Sequence, residues 1–263
     1  MTLAPAAFEF ATWFSALPFL LAAATITWVI SLPLRNVAIG DALWSLMFFM
    51  AGVIYALNSD PRAPRLALVL WLLALWAARL ALYITRRNAG KGEDRRYQEI
   101  RERNQPGFPV KSLYLVFWLQ ALLAWVISLP VLGAFAGNQP LGLLDLAGVA
   151  LWCLGLTFEA VGDWQLSRFK KDPANADKVM DRGLWKYTRH PNYFGECCVW
   201  WGFYCLALSA GAWWAVPGPV LITFLLLRVS GVRLLERDIG NRRPRYVDYV
   251  LKTNAFFPGP PRK

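Results

Sequence analysis

The sequence predicts an all-α integral membrane protein with seven transmembrane helices, its N-terminus outside and its C-terminus cytoplasmic. Three observations carry that expectation. Hydrophobic residues make up 57% of the 263-residue chain and charged residues only 17%, against about 25% charged in a soluble domain. The apolar residues fall in continuous runs, not in the alternation of a β-barrel. The 14 Trp and 16 Phe lie in many cases at the edges of those runs, where a membrane-interface belt puts them.

A helix needs roughly 20 apolar residues to cross a bilayer. On that measure the first span covers about Phe8–Leu34, the second Asp41–Leu57 and the third Pro64–Thr85. The fourth covers Leu113–Phe135 and the fifth Leu141–Gln165. The stretch Asn192–Val232, broken near Ser209–Gly211, divides into the sixth and seventh. The first residues lack the basic start of a cleavable signal, so the first apolar run is expected to be a retained span.

Charge fixes the expected orientation. With the N-terminus outside, inner segments hold Arg35, eight basic residues from Arg86 to Lys111, seven from Arg168 to Arg189 and nine from Arg228 to Lys263. Outer segments hold Arg62 and Arg65. This is the positive-inside distribution, and an even number of spans would put the last basic segment on the wrong side. The net charge of +11 therefore calls for no nucleic acid, and anionic membrane lipid is the default partner. The inner excess also suits a phosphate-bearing cofactor. The expected organisation is one domain, 1–263. Inner loops 86–111 and 166–191 and the C-terminal segment 233–263 would cover a cofactor site.

Several classes fall away. One histidine, His190, excludes a histidine-rich diiron site. Cys153, Cys197, Cys198 and Cys205 lie in or beside apolar runs without zinc-type spacing, so no metal site is expected. No G-x-G-x-x-G follows a strand-like run, which excludes a Rossmann fold. No inverted repeat of the transporter kind is visible.

Ionisable residues at membrane depth are costly and so mark candidate sites. They are Asp41, Arg79, Asp145, Glu159, Asp163 and Glu196. Glu159 and Asp163 are four apart on one helix and share a face, where they repel unless a cation or hydrogen-bond donor lies between them. Carboxylates there can accept from ribose hydroxyls and a carboxamide NH2. Trp76, Arg79 and Tyr83 form one stripe on the third span. The densest cluster is Gly183-Leu184-Trp185-Lys186-Tyr187-Thr188-Arg189-His190-Pro191-Asn192-Tyr193-Phe194-Gly195-Glu196. Pro191 suits a first helical turn, which puts Asn192 and Glu196 on one face at the start of the sixth span. Near the C-terminus Tyr246 and Tyr249 can share a face, either on an interfacial amphipathic helix or on a flap over a cofactor.

The run Arg189-His190-Pro191-Asn192-Tyr193-Phe194-Gly195-Glu196, preceded by Gly183-Leu184-Trp185 and followed by Tyr246 and Tyr249, resembles the membrane steroid 5α-reductases. It resembles still more a bacterial group of uncharacterised membrane proteins related to them. The resemblance covers the chain from about Arg79 onward. It implies NADPH as hydride donor, a 3-oxo-Δ4 steroid or similar enone lipid entering from the bilayer, and a bacterial inner-membrane location. Asn192, Glu196 and Asp163 match the family's cofactor-holding positions, Glu159 falls where an Asn is frequent, and Lys170 or Lys171 falls at a phosphate-facing Arg. Arg35, Arg79, Arg87, Arg95, Arg168, Tyr187, Arg189, His190, Tyr193, Arg237, Arg245, Tyr246 and Tyr249 complete the expected cofactor set. Trp76 stands at the family's catalytic Tyr. The acid at the substrate carbonyl is therefore sought among Asp41, Tyr83 and Tyr55.

Isoprenylcysteine carboxyl methyltransferases share a similar Arg-His-Pro-x-Tyr segment, so an S-adenosylmethionine-dependent membrane methyltransferase is the alternative. The 2′-phosphate of NADPH discriminates. It needs several Arg or Lys, and S-adenosylmethionine has no phosphate.

Overall fold

The computed structural model describes residues 5–229, 231–232, 236 and 246–262, and among these the regular structure is entirely helical. The helices are α1 Phe10–Leu34, α2 Gly40–Leu57, α3 Leu66–Asn88, α4 Arg95–Arg103, α5 Phe108–Phe135, α6 Leu143–Lys171, α7 Pro191–Ser209, α8 Trp213–Val229 and α9 Tyr246–Lys252. Five of them, α1, α2, α3, α5 and α6, are long and apolar enough to cross a membrane. They lie on the first five expected spans. Along α1 the side chains of Phe10, Phe14, Phe19, Ile26, Val29 and Ile30 are exposed. An apolar surface of that extent is tolerated in lipid and not in water, and the chain is an integral membrane protein.

The helices overrun the expected spans where the flanking sequence favours helix. α6 continues to Lys171 with Arg168, Lys170 and Lys171 in its last turn, where cations complement the C-terminal helix dipole. α5 starts at Phe108 and is interrupted by a π-helical stretch, Leu113–Trp118, and by a turn at Ser128. Pro130, which cannot donate to the helix ladder, follows that turn. α7 ends at Ser209, within the expected break, and Gly211 there has φ 86°. α8 is shorter than the five long helices.

The chain divides into two compact units. The first is Met1–Gly142 with Leu206–Pro217, and the second is Leu143–Cys205 with Gly218–Lys263. In the first, α2 packs on α1, α3 and α5 around Met47, Phe48, Tyr55, Leu73, Trp76 and Phe117, all essentially without solvent exposure. Trp13 and Trp125 stack at 3.7 Å, and each indole donates to the other residue's carbonyl. Arg65, counted with the outer segments on sequence grounds, is wholly buried. Its guanidinium donates to the carbonyls of Gln139 (2.8 Å) and Pro140 (3.2 Å) and to Ser209 Oγ (3.0 Å). Loop carbonyls that lipid could not satisfy are satisfied there.

In the second unit, α6 and α7 meet backbone to backbone. Gly148, Gly155 and Gly162 recur every seven residues on α6, as Gly195 and Gly202 do on α7, so each set lines one face. A Cβ at Gly155 would lie 2.5 Å from the Gly195 carbonyl oxygen, and one at Gly202 would lie 2.8 Å from that of Gly148. Small residues permit this approach in membranes, where close packing replaces the hydrophobic drive. Gly155→Ala or Gly202→Ala should therefore cost about 1–3 kcal/mol of unfolding free energy, the range for overpacking. Denaturant unfolding in detergent reads the loss. Gly92→Ala, where the added carbon meets nothing within 4 Å, should show none.

Candidate functional site

The α6–α7 contact positions the polar residues of the second unit. Glu159 and Asp163 face α7 one helical turn apart and are 2% and 4% exposed. Gly195 leaves room for Glu159, whose Cγ would lie 2.9 Å from a Cβ at that glycine, and Gly162 admits Pro191. Asn192 in the first turn of α7 donates from Nδ2 to Asp163 Oδ1 at 3.4 Å, and Glu196 follows one turn later. Two buried carboxylates and an amide thus converge where α7 begins. Such a group accepts from NH2 and hydroxyl donors, and the helix start adds a region of positive potential.

The turn before α7 is held on α6 by the Trp185 indole, which donates to the Gly162 carbonyl at 3.0 Å, and by Leu184 N, which donates to Gln165 Oε1 at 3.0 Å. It is also tied to the C-terminal segment. Arg189 grips Glu236 with two bonds of 2.7 and 2.9 Å, and the same guanidinium donates to the carbonyls of Val250 and Thr253. His190 Nε2 lies 2.9 Å from Glu236 Oε1, and the Tyr246 hydroxyl donates to the same oxygen at 3.4 Å. Tyr249 donates to the Trp185 carbonyl, and Thr188 Oγ1 donates to the Phe256 carbonyl at 2.8 Å. Burial raises the Glu236 pKa, but the hydrogen bonds from His190 and Arg189 and the Arg189 charge outweigh it and hold the group at about 2.

The first unit has its own polar cluster. Asp41 at the start of α2 accepts from the Tyr97 hydroxyl of α4 and from Arg96 at 3.1 Å. Arg96 also pairs with Asp94, the N-cap of α4, at 3.0 Å. Gln120 of α5 donates to the Tyr97 oxygen at 3.3 Å. Burial, then the Asp41 charge, raises the Tyr97 pKa and keeps the phenol protonated. Arg101 holds Glu93 with two bonds of 2.8 Å, and Glu93 caps Val37 N at 2.9 Å.

A family described as "Protein of unknown function (DUF1295)" has a model that matches residues 27–253. The chain belongs to that family. It is also similar to "Uncharacterized protein C594.04c" of Schizosaccharomyces pombe, with 25% identity over 89% of this chain and 76% of that protein. It is similar as well to "3-oxo-5-alpha-steroid 4-dehydrogenase 1" of Mus musculus, at 35% over 31% of this chain and 29% of the relative. For the Homo sapiens protein of that name the figures are 31%, 33% and 31%. This DUF1295 protein is thus related to the steroid 5α-reductases, and the match spans about three tenths of those relatives' length. No solved structure matches.

The remaining expected residues are spread over both units. In the first, the guanidinium groups of Arg79 and Arg87 lie over the Tyr83 ring, 5.9 and 5.8 Å from its centre. Tyr55 is buried with its hydroxyl 2.9 Å from Ser128 Oγ. Trp76 packs edge-on against Phe48. Arg35 ends α1 with φ 47°, and Arg95 pairs with Glu99 at 3.2 Å. In the second, Arg168 lies over the Trp164 ring, Lys170 and Lys171 are exposed, and the Tyr193 ring stacks on His190. Tyr187 is exposed, and its carbonyl accepts from Gly259. Tyr246 and Tyr249 do share a buried face. Arg237 and Arg245 lie outside the described residues. Among the described residues no group of three or more His, Cys, Asp or Glu could hold a metal ion.

Sequence reasoning met Glu236 and Tyr97 only within charged stretches and gave neither a partner nor a place in the site. Their partners lie 47 and 56 residues away, and no local pattern announces either pair.

Glu236 has a folded-state pKa below its ordinary 4.5, so its ionised form stabilises its contacts with Arg189 and His190 above that pH. The contribution is lost as pH falls from 4.5 through about 2. Hydrogen-exchange protection factors across residues 246–262 should drop in that window. In Glu236→Gln they should be low already at neutral pH.

Proposed function

We propose that this protein is an NADPH-dependent membrane reductase acting on the C4–C5 double bond of 3-oxo-Δ4 steroids or a similar enone lipid. One observation carries the reading: two buried carboxylates, Glu159 and Asp163, converge with Asn192 and Glu196 at the start of α7. The donor set fits a nicotinamide nucleotide. Carboxylates accept from its carboxamide and ribose hydroxyls, and an asparagine amide both donates and accepts. Arg168, Lys170 and Lys171 on the last turn of α6 supply the positive charge that its phosphates require. The kinship with the reductases supports the same reading.

When bound, the nicotinamide supplies hydride to the β-carbon of the enone. The chain's own residues must then manage the charge that grows on the carbonyl oxygen. Of the three expected acids, Tyr55 is wholly buried against Ser128, and Asp41 is ion-paired with Arg96 and holds Tyr97. Tyr83, half-buried with Arg79 and Arg87 near its ring, has the surroundings that favour negative charge on an oxygen to which it donates. We assign it as the donor. Arg189 and His190, engaged with Glu236, position the turn that presents Asn192.

In this reading α7 and α8 are the sixth and seventh spans of one membrane domain. The N-terminus is outside, and the basic segments face the cytoplasm of a bacterial inner membrane.

Thermal titration of the detergent-purified protein tests the cofactor. A ligand at 100 times its Kd adds about 2.7 kcal/mol of stability. NADPH should stabilise the protein, whereas NADH should do so less and S-adenosylmethionine not at all. Asn192→Ala or Glu196→Gln should weaken NADPH binding about tenfold or more, at about 1.4 kcal/mol per decade. Unchanged affinity in folded variants would remove these residues from the site.

A further inference from the structure

The second unit contains a cavity of about 460 Å³ between the 178–186 stretch and α9. Lys178, Arg182, Lys186 and Lys252 line it, against two carboxylates, Asp181 and Asp248. Two positive charges are thus left over. Arg182, Lys186 and Lys252 make no ion pair or side-chain hydrogen bond among the described residues. Like charges gathered round one concavity raise its potential, and an anion entering it relieves their repulsion.

The walls are held in place before any ligand arrives. Tyr249 and Thr253, both buried, line the cavity. The Tyr249 hydroxyl is bound to the Trp185 carbonyl, and Arg189 is bound to the Thr253 carbonyl. Apart from Tyr249, the lining shares no residue with the expected cofactor set.

The surroundings of the cavity favour one kind of anion. Phe169, in the last turn of the membrane-length helix α6, lines it, so the cavity lies at one end of that helix. On α9, Val247 and Leu251 are four residues apart and share a face turned away from the cavity, 54% and 66% exposed, and Phe257 beyond them is 68% exposed. Apolar side chains exposed beside a surplus of cations at a helix end suit an interfacial helix in the headgroup layer.

We propose that this cavity binds the phosphate headgroup of an anionic phospholipid, with Val247, Leu251 and Phe257 set into the acyl boundary. The site is independent of the reductase reading. Its occupation would clamp α9 against the turn that precedes α7.

The test uses the full chain in phosphatidylcholine nanodiscs with increasing phosphatidylglycerol, read by thermal stability. The comparison is with the triple variant Arg182→Ala, Lys186→Ala, Lys252→Ala, whose exposed side chains leave folding intact. Wild type should be stabilised by the anionic lipid to saturation, and the triple variant should need at least about ten times more of it. Asp248→Asn, which increases the positive surplus, should need less. Stabilisation by NADPH should be equal in wild type and triple variant. Equal lipid response in wild type and triple variant would overturn the proposal. So would an unchanged lipid response with loss of stabilisation by inorganic phosphate or NADPH, because the cavity would then take a soluble phosphate.

Discussion

The close approach of α6 and α7 is the constraint on which the candidate site depends. Glycines at seven-residue intervals bring the two backbones together, and no other residue could stand at Gly155, Gly195 or Gly202 without moving a helix. Because the contact is made by backbone, its register is set to within a fraction of a turn. That register brings Glu159 and Asp163 to the first turn of α7. Two carboxylates would otherwise gain nothing from burial, since an unpaired buried charge is among the most costly groups a protein can hold.

A second constraint works through charge. Arg189 and His190 close on Glu236, and the Arg189 guanidinium also gathers carbonyls from the end of α9 and the residues after it. The bidentate geometry gives direction as well as energy. The residues immediately before α7 are thereby fixed on both sides, by α6 through Trp185 and by the C-terminal segment through Glu236. The Arg-His-Pro-Asn run is a structural knot as much as a chemical motif, with Arg and His turned to the knot and Asn turned to Asp163.

The first unit solves a similar problem with different parts. Asp41, Arg96, Asp94, Tyr97 and Gln120 form a connected polar network at the start of α2. It ties the highly charged helix α4 to apolar helices that could not otherwise hold it. Arg65 does the same for the loop before Leu143. Both are expensive placements, made tolerable because each charge and carbonyl finds a partner.

The helical membrane class, the positions of five long helices, the break after Ser209 and the helix start at Pro191 were legible in the sequence. They depend on apolar run length, on charge and on the local rules of proline and glycine, all properties of neighbouring residues. The pairing of Glu159 with Asp163 on one face was legible for the same reason, since helical periodicity is local. The partners were not. Arg65 was counted with the outer segments and is wholly buried, and Arg189, an expected cofactor residue, has Glu236 as a partner. Asp41, a candidate acid, is ion-paired with Arg96. Each of these outcomes depends on a residue dozens of positions away, brought near only when helices pack. The sequence by itself determined which segments are helices and which faces carry polar groups. The tertiary structure alone decided which polar groups meet, because a buried charge takes its partner from whatever element the packing sets beside it.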